Sequence, residues 1–179
     1  TAAAGRHVIR TLDDALALRA ALRPGARVVV LGAGFIGCEV AATARLLGCE
    51  VHCVAIDSHP MIRPLGVELA AELQRRHEEQ GVIFHLGVGL TAFEGDDHVT
   101  GVVLSDGTSL AADIVVEALG SRCNVEWLDG QGLDLTDGVL TDNALRVLRN
   151  AGDAEPTAVD GVAAVGDIAR FPNPRFDSR

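Results

Sequence analysis

The sequence predicts an α/β fold, a doubly wound parallel sheet with an antiparallel β-meander crossover. Three observations carry this expectation. The run "ARVVVLG" is apolar and β-branched without polar alternation, as a strand covered on both faces requires. Strand-like and helix-like segments then alternate in the order β-α-β-α-β. Finally, "GLTAFEGDDHVTGVVLSDGTSLAADIVVEALG" switches to period-2 alternation with turn signals at Gly95-Asp96-Asp97 and Asp106-Gly107.

Taken in order, "TLDDALALRAALRPG" reads as a helix that Thr11 or Asp13 could cap. Its apolar positions are 12, 16 and 22 with Ala between, and Pro24-Gly25 ends it. "ARVVVLG" is the first buried strand, and "FIGCEVAATARLLG" is a helix closed by Gly48. "CEVHCVAI" is the next strand, and "DSHPMIRPLG" is a loop with two prolines. "VELAAELQRRHEEQG" is an amphipathic helix with apolar positions 65, 69 and 73, and "VIFHLG" is a third strand. After the meander, "ADIVVEALG" returns to a buried strand, and short strands and loops follow to "GVAAVGD". Right-handed crossovers in such an order are expected to place helices on both faces of the sheet.

Composition narrows the function classes. The chain has 179 residues, 48% of them hydrophobic and 22% charged, which suits a packed globular core rather than disorder. A formal net charge of -10 argues against a nucleic-acid partner. All 15 basic residues are Arg, so neither a phosphate-loop lysine nor Schiff-base chemistry is available. No apolar run reaches the roughly 18–20 residues of a membrane span. No signal peptide is visible, no membrane association is expected, and a cytoplasmic location is. The start without Met and the end at "FPNPRFDSR" suggest a fragment of a longer chain. Cys38, Cys49, Cys53 and Cys123 form no CxxC pair. Cys49 and Cys53 fall on one strand about 13 Å apart, too far for a disulfide, so all four are expected as reduced apolar fillers. The six His residues show no metal-ligand spacing, and no metal site is expected.

The chemistry lies in Gly32-Ala33-Gly34-Phe35-Ile36-Gly37, set between a strand and a helix. Gly32 permits the sharp turn, Gly34 lets a pyrophosphate approach the backbone, and Gly37 lets the helix pack close to the sheet. The first helical amides and the helix dipole then face the phosphates, which makes the fold Rossmann-like. An acidic residue for the ribose hydroxyls is expected at the end of the second strand, yet Ala55 stands there. Asp57 could reach the ribose from the loop or could be a solvated loop acid. No Arg follows directly; the nearest is Arg63. NAD is therefore favoured, with NADP possible.

"GAGFIGCEVAATARLLG" resembles the NAD-binding domain of the FAD-dependent pyridine nucleotide-disulfide oxidoreductases. Within them it most resembles the ferredoxin and rubredoxin reductases that serve cytochromes P450 and ring-hydroxylating dioxygenases. "VIRTLDDALALRAAL" resembles the helix before that domain, and "DIVVEALGSRCNVEWL" its third glycine segment, with Cys123 where a proline is usual. "GVAAVGDIARFPNPRF" resembles the second FAD fingerprint, and the likeness covers nearly the whole chain.

The resemblance implies that Gly32, Gly34, Phe35, Ile36 and Gly37 form the pyrophosphate turn. Glu39 would lie near the nicotinamide carboxamide; its plainer reading is a first-turn acid favoured by the helix dipole. Arg63 would flank the adenosine end or be a surface arginine. Gly120 would let the cofactor pass over its strand end, and Gly166 and Asp167 would serve the FAD ribityl chain. No catalytic side chain is implied, since hydride transfer needs no protein acid or base. Residues 1–161 would form the NAD(P)-binding domain with its leading helix, and 162–179 would begin a returning FAD-domain segment. The first half of that FAD domain is missing, so the fragment alone should bind nicotinamide cofactor without turning over. In the whole protein, electrons would pass from NADH through FAD to a ferredoxin- or rubredoxin-type partner. Alternatives are a CoA-disulfide reductase, a nitrite reductase subunit, an apoptosis-inducing-factor-like protein or a non-enzymatic dinucleotide module. The "FPNPRF" tail favours the ferredoxin reductase branch. A dehydrogenase acting directly on a small substrate is disfavoured by the absence of Tyr and Lys. The sequence does not indicate an oligomeric state.

Overall fold

The computed structural model describes residues 3–149 and 155–173. The chain divides into two compact units, Thr1–Gly120 and Ser121–Arg179.

The first unit is built on five parallel strands. They are β1 (Arg6–His7), β2 (Arg27–Leu31), β3 (Glu50–Ala55), β4 (Val82–Leu86) and, after an intervening meander, β8 (Ile114–Glu117). The order across the sheet is β1-β8-β2-β3-β4, with every pairing parallel. Val28, Val29 and Val30 are wholly buried, which is why this strand shows no alternation. Helix α1 (Leu12–Ala21) precedes β2, and helix α2 (Phe35–Leu46) joins β2 to β3. Helix α3 (Ile62–Glu79) joins β3 to β4, and β5 (Leu90–Glu94), β6 (Gly101–Leu104) and β7 (Ser109–Ala111) form the antiparallel meander.

The expectation of helices on both faces is corrected. Leu18 of α1 and Val40, Ala41 and Ala44 of α2 pack on Val28, Val30, Val51, Cys53, Ile114 and Val116. On α3, His77 meets Phe84 edge-on and lies 3.3 Å from the Cys38 carbonyl, so this helix lies beside α2. The opposite face, with Val29, Leu31, Val54 and Val115, is covered by the meander residues Val102, Leu104 and Leu110. The meander supplies the second layer that a second set of helices would otherwise provide.

Two helix faces also differ from their expected pattern. In α1, Leu12 and Leu16 are 74% and 51% exposed, whereas Leu18 is buried and Ala15 and Leu22 partly so. Alanines at 15, 17, 20 and 21 lie among the leucines of this helix, so spacing alone leaves the inner stripe ambiguous. Its start is a capping box: the Asp14 amide donates to Thr11 Oγ1 and the Thr11 amide to Asp14 Oδ2. Helix α3 starts earlier than expected, inside the proline loop, but Gly66 breaks it with φ 72°. The break resets the phase, so Leu69 is 62% exposed while Ala70 is buried and Leu73 and His77 are partly buried.

β1 has no counterpart in the sequence expectations. It is held by long-range side-chain contacts: Arg6 donates to Glu117 Oε1 from Nε (3.0 Å) and Nη2 (2.8 Å) and stacks over Phe93 at 3.7 Å. At the other end of the sheet, Asp113 accepts from the Arg27 backbone amide (2.9 Å) and its guanidinium (2.5 Å). The Arg27 pairing holds the Asp113 carboxyl down to about 2.

The second unit contains short strands: β9 (Val139–Leu140), β10 (Arg146–Arg149), β11 (Thr157–Ala163) and β12 (Ala169–Arg170). β10 pairs antiparallel with β11, and β12 pairs parallel with β9. Val125, Val139, Val147 and Ala164 form a small separate core. Of the "FPNPRF" segment, only residues up to Asn173 lie among the described residues. All four cysteines are free, and Cys38, Cys49 and Cys53 are buried. Burial raises the Cys53 thiol to about 12 and that of Cys38 to about 11. Among the described residues, no helix is long and apolar enough to cross a membrane.

Candidate dinucleotide site

The glycine turn sits where two ladders of the sheet run out. The Gly32 amide donates to the Val54 carbonyl (2.8 Å), and the Ala118 amide donates to Leu31 (2.8 Å). The chain must turn there, between the ends of β3 and β8. Gly32 does so at φ 103°, and a Cβ on it would collide with the Ala118 carbonyl. Gly37 is required for a different reason. A Cβ there would strike the Gly32 carbonyl, so the close approach is to the turn itself as well as to Val30 of the sheet.

Gly34 has neither constraint. Its φ of -81° and ψ of -165° suit any residue, and a Cβ would meet no atom of the described residues within 4 Å. As the N-cap of α2 it supplies no side-chain hydrogen bond. The Cys38 amide is the first to bond into the helix, to Gly34 (2.9 Å). Among the described residues nothing accepts from the amides of Phe35, Ile36 and Gly37. The side chains of Phe35 and Ile36 are 62% and 42% exposed. Three free amides at the positive end of a 12-residue helix, beside a glycine whose lack of a side chain its own packing does not require, suit an anion with several oxygens.

The loop after β3 is stitched to this turn by the Met61 amide, which donates to the Ala33 carbonyl (2.9 Å). Met61 adopts the left-handed region, φ 57°, to make that bond. No local pattern in the sequence marks Met61, because the bond joins residues far apart in the chain. Ala55 is the last residue of β3 and is buried. Asp57 and Arg63, considered separately in the sequence, form one ion pair. Nε of Arg63 donates to Oδ2 (3.3 Å) and Nη2 to Oδ1 (3.2 Å).

Glu39 is the fifth residue of α2, past the first turn, so the first-turn dipole explanation is corrected. It is exposed and lines a cleft of about 410 Å³ between α1 and α2, together with Ile36, Val40, Leu18 and Leu22. Gly120 follows β8 with φ 104°, and a Cβ there would meet nothing among the described residues within 4 Å.

In the second unit, Gly166 (φ 77°) opens a single 3-10 turn, Gly166–Ile168, that leaves Asp167 exposed. No described residue hydrogen-bonds its carboxylate. The Cys123 thiol donates to the Asp167 carbonyl (3.3 Å), a support that a proline in its place would not give. Nearby, Arg170 Nη2 lies 2.6 Å from Asp134 Oδ2, close enough to pair but off the line of a hydrogen bond. The Thr136 amide, followed by Arg170, holds the Asp134 carboxyl near 2. No group of three or more potential metal ligands occurs among the described residues.

Known proteins share this arrangement. The chain is 37% identical over 168 residues to the ferredoxin reductase component of chlorobenzene dioxygenase from Cupriavidus sp. (strain PS12), covering 94% of this chain and 38% of that one. It is 34% identical to rhodocoxin reductase from Rhodococcus erythropolis over 171 residues, 95% of this chain and 38% of that one. The crystal structure of the ferredoxin reductase for the CYP199A2 system from Rhodopseudomonas palustris matches with a TM-score of 0.82 and 38% identity, over 96% of this chain and 40% of that one. Putidaredoxin reductase, in its covalent complex with putidaredoxin, matches at 0.83 and 31% identity, over 97% and 40%. The chain thus spans about two-fifths of the length of these relatives. The sequence pattern of the pyridine nucleotide-disulphide oxidoreductases extends over residues 2–178, from before β1 to beyond the Asp167 turn. Glycine turn, meander and second-unit turn therefore occur together, in order, because this chain belongs to the pyridine nucleotide-disulphide oxidoreductase family.

Proposed function

We propose that this chain is the nicotinamide-dinucleotide-binding part of a flavin-dependent reductase. The whole protein would take electrons from NADH through FAD to a ferredoxin- or rubredoxin-type partner. The named activities of the relatives, ferredoxin reductase components and rhodocoxin reductase, support this reading. Residues 1–161 would form the NAD(P)-binding domain, and 162–179 would begin the returning FAD-domain segment. The four free thiols and their lack of CxxC spacing support a cytoplasmic setting.

The observation that carries the reading is the contrast at Gly34, a glycine that no described residue of this chain requires. Its bare Cα leaves the amides of Phe35, Ile36 and Gly37 open to a pyrophosphate. Glu39 and Ile36, on the cleft side of α2, would position the nicotinamide end, and Gly120 would let the cofactor cross β8. Asp167, exposed and supported from behind by Cys123, would accept a hydrogen bond from the ribityl chain of FAD. FAD and the nicotinamide supply the hydride chemistry when bound. The protein's contribution is position, which is why no acid–base pair is needed at this site.

Calorimetric titration of the chain with NADH tests the reading. The expected result is saturable binding that Gly34→Ala weakens about tenfold or more, since a methyl group would intrude on the pyrophosphate. Undiminished binding by Gly34→Ala would remove the turn from the site.

A further inference from the structure

Two thiols lie directly beneath the glycine turn, and both donate to its carbonyls. Cys38, the fourth residue of α2, reaches the Ala33 carbonyl (3.5 Å), and Cys53, on β3, reaches the Gly32 carbonyl (3.8 Å). Both residues are buried. Burial pushes the Cys38 thiol up to about 11 and that of Cys53 up to about 12, so near neutral pH each keeps the proton that it donates. The two cysteines therefore do more than fill apolar space.

The consequence runs through the peptide planes. A trans peptide is flat, and its C=O and N–H point in opposite directions. None of the described peptides is cis. The Gly32 carbonyl is drawn inward to Cys53, so the Ala33 amide of the same peptide turns outward. The Ala33 carbonyl is drawn to Cys38 and also accepts from the Met61 amide (2.9 Å), so the Gly34 amide turns outward as well. Among the described residues nothing accepts from either amide. The free amides of Phe35, Ile36 and Gly37 follow directly in the chain. Donors without an internal partner thus run from Ala33 to Gly37, and the direction of the first two is set by side chains outside the motif.

We infer that Cys38 and Cys53 are positioning residues of the dinucleotide site, their S–H groups fixing two peptides of the turn so that the Ala33 and Gly34 amides face the diphosphate. The inference rests on the glycine turn being a dinucleotide site, and the test separates the two. A thiol is a weak donor, so each contribution is small, but it acts before the ligand arrives and spares the turn a reorganisation on binding. The effect also runs in reverse. An amide that donates to a phosphate oxygen polarises its own peptide and makes the carbonyl at the other side a better acceptor for the thiol.

The chain and its variants are titrated with NADH by calorimetry, with thermal melting as a check on folding. Cys38→Ala and Cys53→Val each remove a donor, the second while filling the space of the sulfur. Each is expected to weaken NADH binding about threefold, and the two together about tenfold. Cys38→Ser and Cys53→Ser keep a donor and are expected to bind within about twofold of the unaltered chain. Infrared spectroscopy reads the thiols themselves: the S–H stretching bands that Cys38→Ala and Cys53→Val remove should move to lower frequency when NADH is added. The serine variants and the bands of the unaltered chain carry the test if a donor-free variant does not fold. Unchanged affinity in the double variant, serine variants that lose as much as the donor-free ones, or S–H bands that NADH leaves in place overturn the inference. If Gly34→Ala weakens NADH binding while the double variant binds like the unaltered chain, the glycine turn stands and only the role of the thiols falls. If the unaltered chain does not bind NADH, both readings fall together.

Discussion

The glycine turn and the loop after β3 face the same end of the sheet but are built on different principles. The turn is held by backbone sterics: Gly32 and Gly37 are required by carbonyl oxygens, and no side chain of the motif makes a polar contact that shapes it. The loop is held by side chains and by two long-range amide bonds, from Met61 to the Ala33 carbonyl and from Gly87 to the Asp57 carbonyl. Its principal ion pair, Asp57–Arg63, is solvent-exposed. The difference teaches where specificity can be tuned. The turn cannot vary at Gly32 or Gly37 without collision, while the loop can exchange one charge pattern for another at little cost to the fold.

The sharpest way to break this comparison is to put methyl groups into the turn. Gly32→Ala and Gly37→Ala should each lower stability by roughly 3 kcal/mol or more in urea denaturation, through collision with Ala118 and Gly32 carbonyls respectively. Gly34→Ala, two residues from Gly32 and three from Gly37, should cost about 1 kcal/mol or less, the price of a poorer N-cap. Equal losses at all three positions would show that backbone sterics do not distinguish them.

A smaller effect is expected at the base of the sheet, where Asp113→Ala removes the acceptor for Arg27. Both side chains are nearly half exposed, so a loss of about 1 kcal/mol is expected after solvent screening. Because the folded carboxyl is held below its ordinary 3.8, the contribution is present above that pH and fades as pH falls toward about 2. Acid titration of the urea midpoint, with and without the substitution, measures it.

The pair His52–His85 sharpens the contrast further, since it joins β3, which leads into the loop, to β4, after which the Gly87 amide bonds the Asp57 carbonyl. Their ring nitrogens lie 2.9 Å apart, and the rings stack. Burial is the main cause lowering both values; the neighbouring imidazole adds to it at His52, while Glu50 and Asp106 oppose it at His52 and His85 respectively. The unfolded chain takes up protons from the ordinary value of 6.5 downward, whereas the folded pair resists them. Stability should therefore be full above that value and fall as pH drops below it, with His7 acting in the same direction. His52→Gln should flatten the slope of the urea midpoint between about pH 7.5 and 5.5. An unchanged slope would show that the pair does not couple protonation to folding. The smallest effect is expected at Asp57→Ala, which should change stability by no more than about 0.5 kcal/mol, since exposed pairs contribute little. Thermal melting would detect a larger dependence.

Much of the fold was legible because its signals are local. "VVVLGAGFIG" carries strand, turn and helix in one window, since fully buried β-branched residues and glycines at contact points dictate conformation over a few residues. The meander was equally legible from its alternation and its two turns, at Gly95 (φ 96°) and Gly107 (φ 86°). The inner face of α1 was not, because Leu12, Leu16, Leu18 and Leu22 offer more than one stripe among alanines. Nor was β1, two residues long and held by Arg6 reaching Glu117. At the candidate site, the glycines could be picked out by their spacing and Glu39 only through the family resemblance, while the pairing of Asp57 with Arg63 and the Met61 bond could not be read at all.

By itself, the sequence determined the strand–turn–helix at Gly32–Gly37, the order of the elements and the neutral residue at the end of β3. These follow from short-range sterics and hydrophobic burial, which act within a few residues of each other. Only the tertiary structure decided that the meander rather than helices covers the second face, which leucine of α1 turns inward, and that Asp57 spends its charge on Arg63. Those outcomes depend on surfaces and side chains brought together from distant parts of the chain, and no local pattern encodes which of several equivalent partners will be nearest.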